Sequence, residues 1–387
     1  MKGYVDPILD PWGGHFCEPS NWNRVTEPFR FNCRIKNKGK TNLPEQKDIT
    51  ALSDFLRRPL SFGNHVIESR LVLSPMAMLG HVAFRELLDQ FGGFGLLFSE
   101  MCSAKRLIHE NRHVSAYFRW RDEELSRLVC QIVGADPDIM ATAARRIERE
   151  GFFGVDINFG CTASDICRLN AGAAVLKNPL LAVRIVSAVR QAVSIPLFVK
   201  FRTGWKDDPD FAVDLAKRLE AAGADALTFH PRVAPDRRAH PPKWEYIGRI
   251  KEAVSIPVFG NGNVFDAADC LRMLRYTGCD GVAIGRMAVA KPWLFAEWTE
   301  DRKPEKNDFR DTALRLADLL ELHYDPPNAL RRFRKFSLYY AANFQFGHTF
   351  YTGILKAKTM ADALEAVHRF FCSEPALVTR PNINFFR

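Results

Sequence analysis

The stretch Asp156-Ile157-Asn158-Phe159-Gly160-Cys161-Thr162 decides the reading of this chain. Phe153, Val155 and Ile157 alternate with other residues ahead of a polar tip, and a Gly-Cys turn follows. Alternation of this kind predicts a buried strand that delivers Asn158 and Cys161 to the open end of a sheet. A long helical pattern is expected next, with Gly172-Ala173-Ala174 in its midst.

Outward from that strand the same unit repeats. Short β-rich runs cover 71–75, 95–100, 128–134, 155–160, 197–202, 226–230, 257–261 and 281–285. Helical patterns such as 137–150, 180–192, 211–222 and 267–276 separate them. Two connections share their wording, Ala192-Val193-Ser194-Ile195-Pro196 and Ala253-Val254-Ser255-Ile256-Pro257. Eight runs with helices between them predict an α/β fold, a (β/α)8 barrel of the TIM type over 66–304. A doubly wound open sheet is the alternative, but no GxGxxG follows an early strand. After Pro292-Trp293 the alternation stops, and 305–387 reads as a C-terminal helical domain with a break at Pro326-Pro327 and a loose tail from Glu374. Residues 1–65 form an N-terminal extension rich in Pro, Asn and charge, including the basic run Lys36-Asn37-Lys38-Gly39-Lys40. It is expected to be mostly irregular or packed on a neighbour until a hairpin turns at Gly63-Asn64.

Composition narrows the class. The hydrophobic share is 47% and ordinary for a globular chain. No apolar run approaches the roughly 18 residues of a membrane span, and Met1-Lys2-Gly3-Tyr4-Val5-Asp6 starts no apolar signal segment. The nine cysteines are scattered without CxxC pairs or metal-ligand spacing. A cytoplasmic protein with reduced thiols, no metal and no membrane is expected, and a monomer suffices. The net charge of +9 admits a polyanionic partner such as RNA.

In such barrels chemistry sits at the C-terminal ends of the strands. Those ends carry Pro75-Met76-Ala77, Glu100-Met101, Gln131, Asn158 with Cys161, Lys200 with Arg202, His230 with Arg232, Asn261-Gly262-Asn263 and Gly285-Arg286. The last two ends suit a phosphate cradle of backbone N–H groups, with Arg286 adding a bidentate contact. Lys200 ends an apolar strand, so its charge must be paired or used. A cation beside the pyrimidine edge of a flavin is one such use. His230 would donate to a flavin carbonyl or a substrate, and Gln131 would face the flavin's imide edge. A salt-bridged Arg286, a structural ion pair at Lys200 and a satisfied core histidine are the plainer alternatives. Cys161 has the position of a proton donor, since a thiol of ordinary pKa near 8.5 is mostly protonated at pH 7. Cys167 is its rival.

Together these pieces resemble the tRNA-dihydrouridine synthase family over roughly residues 62–370. The likeness rests on Leu73-Ser74-Pro75-Met76-Ala77, Phe84-Arg85-Glu86-Leu87, Glu100-Met101, Ile157-Asn158-Phe159-Gly160-Cys161 and Gly172-Ala173-Ala174. Val199-Lys200-Phe201-Arg202-Thr203-Gly204, the run from Gly223 to His230, Asn261-Gly262-Asn263, the run from Thr277 to Arg286 and Lys291-Pro292-Trp293 complete it. The resemblance implies an FMN-binding barrel followed by a helical RNA-binding domain. It implies that NADPH reduces the flavin, whose N5 gives a hydride to C6 of a tRNA uridine while Cys161 protonates C5. It implies further that Asn158 holds the uracil, that Gln131, Lys200 and His230 contact FMN, and that Asn261, Gly262, Asn263, Gly285 and Arg286 line its ribityl chain and phosphate. Pro75 and Met76 join the cofactor set. The chain departs from the family pattern at Thr162, where proline is usual, at Met78-Leu79-Gly80-His81, and at Pro231-Arg232-Val233.

The helical region gives the positive charge a location. Arg331, Arg334 and Lys335 interleave with Phe333, Phe336 and Tyr340, which share a helical face and read as core, leaving the cations for RNA phosphates. Arg232, with Arg237, Arg238, His240 and Lys243, adds charge at the barrel mouth. Two rival functions remain on the sequence alone: a small-molecule ene-reductase or dihydropyrimidine-type oxidoreductase, and a non-catalytic RNA-binding descendant of the fold.

Overall fold

Eight parallel strands close into the expected barrel. They are β1 (Leu71–Leu73), β2 (Leu96–Phe98), β3 (Leu128–Val133), β4 (Gly154–Phe159), β5 (Leu197–Gly204), β6 (Ala226–Val233), β7 (Val258–Asn261) and β8 (Gly281–Ile284). Each pairs with its neighbour in sequence, β8 returns to β1, and β2 meets β3 at Leu97 opposite Leu128. That last pairing excludes the open sheet. The computed structural model describes residues 46–236 and 240–386, which belong to one compact unit, Asn42–Arg387. The Lys36–Lys40 run and Arg237 and Arg238 lie outside the described residues.

The barrel interior is built in layers. Val72, Phe98, Val129, Phe198, Ala226, Phe259 and Ala283 form one apolar cluster, closed from below by Leu60, Phe62 and Ile67. Those three sit on the expected hairpin, whose turn has Gly63 at φ 57. Side chains two residues apart on a strand share a face. One step up, the same faces therefore carry Gln131, Lys200, Thr228 and Asn261 instead of hydrocarbon. The switch from apolar to polar within two residues marks the working end of the barrel.

The repeated connections turn out to be one device used twice. Glu148, on the helix before β4, accepts from the backbone N–H and hydroxyl of Ser194, at 2.7 Å each, and from Ile195 N–H. Glu220 does the same for Ser255 and Ile256. Backbone N–H groups outside the helices and strands still need acceptors, and one glutamate supplies them to the shared Ser-Ile pair in each repeat.

Elsewhere the structure differs from expectation. Helix Gln46–Leu56 lies in the stretch expected to be irregular or packed on a neighbour; it is regular and packed, with Leu52 and Leu56 buried and Ser53 Oγ donating to Thr299 O at 2.6 Å. No long helix follows β4. A short helix, Ser164–Arg168, ends where Asn170 and Gly172 take positive φ, and a 3-10 turn, Gly172–Lys177, precedes helix Pro179–Ala192. The C-terminal part comprises helices Lys306–His323, Pro326–Tyr340, Gly347–Lys356 and Met360–Cys372. Phe333, Phe336 and Tyr340 are buried as expected, the last two stacked at 4.7 Å. Trp293 packs on Phe309 at 4.7 Å and on Phe91 at 6.1 Å, tying these helices to the barrel. Among the described residues no helix is long and apolar enough to cross a membrane, and no group of side chains is arranged to hold a metal ion.

Candidate active site

Strand register places the candidates side by side. Gln131 lies opposite Asp156, Asn158 opposite Lys200, and Arg202 opposite His230. Gln131 Nε2 donates to Asp156 Oδ2 at 2.5 Å, and Asn158 Nδ2 donates to Gln131 Oε1 at 2.8 Å. Asn158 Oδ1 in turn accepts from the N–H groups of Gly160 and Cys161 at 2.9 and 2.8 Å. Asn158 therefore shapes the Gly-Cys turn with its oxygen and keeps one amide hydrogen for another partner.

Cys161 is held from several sides. Its carbonyl accepts from Ala173 N–H at 2.9 Å and from Cys167 Sγ at 3.6 Å. Arg202 Nε donates to Gly160 O at 2.7 Å, and Trp205 Nε1 to Ala173 O at 2.7 Å. Gly172, at φ 60, explains the Gly-Ala-Ala run: a Cβ there would stand 2.8 Å from Cys161 O and 3.1 Å from Cys161 Cβ. The rival Cys167 donates to the backbone of Cys161, so it supports this turn. Burial pushes the Cys161 thiol above its ordinary value, against the pull of Ala163 N–H, Arg202 and Lys200. The group is a protonated thiol at neutral pH.

Charge beside it is tuned by burial. The carboxyl of Asp156 is pushed up to about 7 by burial, while Gln131 and Lys200 pull it down. Lys200 is brought down to about 8 by burial and by Arg202, with Asp156 opposing. His230 falls well below its usual range through burial and the nearby Arg202, Lys200, Arg232 and Arg286, so its ring is neutral. Its Nε2 is buried and has no hydrogen-bond partner among the described residues. Asp156 escaped the sequence reading, although its signal was there: a carboxylate inside an apolar strand, two residues from Asn158.

The later strand ends form a close-approach wall. Gly262, at φ 118, borders the His230 ring so tightly that a Cβ would stand 2.9 Å from its Cδ2 and 3.0 Å from Nε2. Trp244 Nε1 fixes Gly262 O at 2.9 Å. Asn261 Nδ2 donates to Ala283 O at 2.7 Å and so links β7 to β8. Asn263, at φ 54, accepts from Arg232 Nη2 at 3.2 Å, and Arg232, 5% exposed, also donates to His240 O. Gly285 stands close to Met76, whose Sδ would be 3.6 Å from a Cβ there, beside half-buried Pro75. Arg286 Nη1 donates to Phe386 O.

The three helical cations lie on Pro326–Tyr340 and differ among themselves. Arg331 is exposed, with Nη2 on Asn328 at 2.7 Å. Lys335 is half-buried above Tyr339. Arg334 is half-buried and donates to Ala357 O, a link between helices.

Known proteins carry the same pattern. The model of the dihydrouridine synthase family, "Dihydrouridine synthase (Dus)", matches residues 72–371. A probable tRNA-dihydrouridine synthase of Mycobacterium tuberculosis is 35% identical over 318 residues, 78% of this chain and 82% of the relative. The tRNA-dihydrouridine synthase B of Pseudomonas aeruginosa is 37% identical over 235 residues, 61% of this chain and 70% of the relative. Among solved structures, histamine dehydrogenase from Rhizobium sp. 4-9 superposes with a TM-score of 0.50 at 13% identity, covering 69% of this chain and 51% of that one, which speaks to the fold alone. With the motif residues assembled at the mouth of a closed barrel and the family pattern running from β1 into the last helix, the chain belongs to the dihydrouridine synthase family.

Proposed function

We propose that this protein reduces uridines of tRNA to 5,6-dihydrouridine, with FMN as resident cofactor and NADPH as reductant. The observation that carries the reading is the protonated thiol of Cys161, pinned at the barrel mouth beside Lys200 and a neutral His230. The residues fit FMN. His230 Nε2 is a buried nitrogen in want of a partner, Gly262 lets the backbone lie directly against that ring, and at Gly285 a Cβ would meet nothing nearer than 3.6 Å, which leaves backbone open to a phosphate or ribityl chain. Asn261 and Asn263 fix that wall, Pro75 and Met76 face it, and Gln131 keeps one amide hydrogen for the ring's imide edge. When bound, FMN supplies the hydride that N5 passes to C6 of the uracil, and NADPH restores it.

The chain's own residues do the rest. Cys161 gives its proton to C5, so hydride and proton together saturate the C5–C6 bond. Asn158 offers its spare amide hydrogen to the uracil, and the cation of Lys200 stabilises charge that gathers on the ring system. The uridine must leave its stack to reach the mouth. A small-molecule ene-reductase would have no use for a cation-bearing helix, and the exposed Arg331 favours RNA. Arg286 serves the phosphate, and Arg232 braces the rim.

Reversing Arg331 and Lys335 to Glu tests the RNA assignment. Arg334 is left intact because it holds Ala357 O. The double variant is expected to raise KM for tRNA and to lower the salt slope of log K against log salt by about two, one for each lost phosphate contact. Oxidation of NADPH by a free electron acceptor should stay at the wild-type rate. Equal loss of both activities would remove this helix from the RNA interface.

A further inference from the structure

A buried carboxylate at the barrel mouth, without a role in the chemistry above, joins two features that each carry a cost. Glu100, 1% exposed just after β2, accepts the backbone N–H of Met78. Met78 is a non-glycine residue at φ 65, a conformation that persists only where its surroundings enforce it. The other oxygen of Glu100 lies 3.7 Å from Nη2 of Arg332, which is 0% exposed. That oxygen, together with Nε and Nη1 of Arg332, has no hydrogen-bond partner among the described residues. Nη2 donates to Ala116 O at 2.7 Å, and the guanidinium lies 4.0 Å from the Tyr324 ring centroid. A buried pair left half-satisfied contributes little as packing. Its position is more telling. Glu100 and Met78 belong to the barrel mouth, with Met76 beside Gly285, whereas Arg332 sits between Arg331 and Arg334 on Pro326–Tyr340.

We propose that Glu100 and Arg332 are positioning residues that form a joint between the cation-bearing helix and the loop 75–78, so that the seat of that helix sets the cofactor wall. The inference rests on the flavin reading of that wall. The carboxylate holds Met78 in its left-handed conformation, and this aims Met76 across Gly285. Arg332 holds the carboxylate. A shift of the helix when RNA engages Arg331 therefore reaches the wall through two side chains.

The full-length protein is compared as wild type, Glu100→Gln, Arg332→Met, Arg332→Lys and the Glu100→Gln/Arg332→Met double variant. Deuterium uptake by a peptide spanning 75–82 and FMN affinity by fluorescence titration are read for each. Arg332→Met is expected to speed exchange in 75–82 and weaken FMN about tenfold, within the ordinary range of coupling between sites. Arg332→Lys should recover part of both. The double variant should lose less than the sum of the singles, since its partners are coupled. Glu100→Gln keeps volume and an acceptor for Met78, which guards against a variant that merely fails to fold. Wild-type exchange and FMN affinity in Arg332→Met, with only KM for RNA altered, would overturn the joint, as would additive losses in the double variant. A wild type that takes up no FMN would sink the flavin reading instead and leave the exchange data to judge the joint.

Discussion

Replacing Cys161 with Ala is expected to lower the rate of tRNA reduction by about 10²–10⁴-fold, the usual contribution of a positioned acid, while NADPH still bleaches the bound flavin at the wild-type rate. The two half-reactions separate because only the second needs a proton on carbon. The turn should survive the change. Its contacts use the N–H and C=O of residue 161 and the side chains of Asn158 and Arg202, none of which the substitution touches. Melting temperature should accordingly stay close to wild type. The pH profile supplies a second check. Burial holds the thiol above its ordinary value, so it stays protonated through neutral pH and loses its proton only on the alkaline side. A thiol working as a thiolate nucleophile would require the opposite shift. If Cys161→Ala reduces tRNA normally, the acid lies elsewhere.

Lys200→Met should act on the other half-reaction. Removing a preorganised charge of this kind costs about 10²–10³-fold, here in the rate at which NADPH bleaches the flavin. Stability should move the other way. The folded state lowers Lys200 from 10.5 to about 8, so it disfavours the charged form. Below about pH 8 both folded and unfolded chains carry the proton, and the folded one bears the whole cost. Between about 8 and 10.5 the folded chain has shed it and the unfolded chain still binds it, so wild-type stability rises with pH. The cofactor-free Met variant should therefore melt no lower than wild type at pH 7, with its advantage shrinking as pH passes 8. Charge kept at a cost to stability is what a working residue looks like. A variant that melts lower at pH 7 and reduces flavin normally would make Lys200 a structural ion pair.

The fold was legible because its unit repeats. Eight apolar runs and two copies of Ala-Val-Ser-Ile-Pro announce the barrel, and the structure shows why the copies agree, since each serine and isoleucine meets a glutamate from the helix one repeat earlier. Helix Gln46–Leu56 was hidden by composition, where charged residues mask the Leu52 and Leu56 pair that it buries. The helix expected after Cys161 was overestimated. A period of 3.6 does not register that Gly172 must pass within contact of Cys161, which breaks the helix there.

Strand ends were similarly readable as a set and less so in their roles. Period two brings Gln131, Lys200 and His230 to one mouth, but only pairing across strands shows that Asn158 gives an amide hydrogen to Gln131, or that Asp156 anchors Gln131. On the helix, spacing groups Arg331, Arg334 and Lys335, yet cannot tell that Arg334 holds Ala357. Arg332, which reads as one more cation of a basic run, is buried against Glu100 from a distant part of the chain. Contacts of that kind have no local signature.

The measurement that tests the central claim most directly is the absorption spectrum of the purified protein under anaerobic conditions, first with NADPH and then with uridine-bearing tRNA. Flavin bands that bleach with NADPH and return as dihydrouridine forms in the RNA are the predicted result. A colourless protein that cannot be reconstituted with FMN would contradict the enzymatic reading and leave an RNA-binding member of the family that has lost its chemistry.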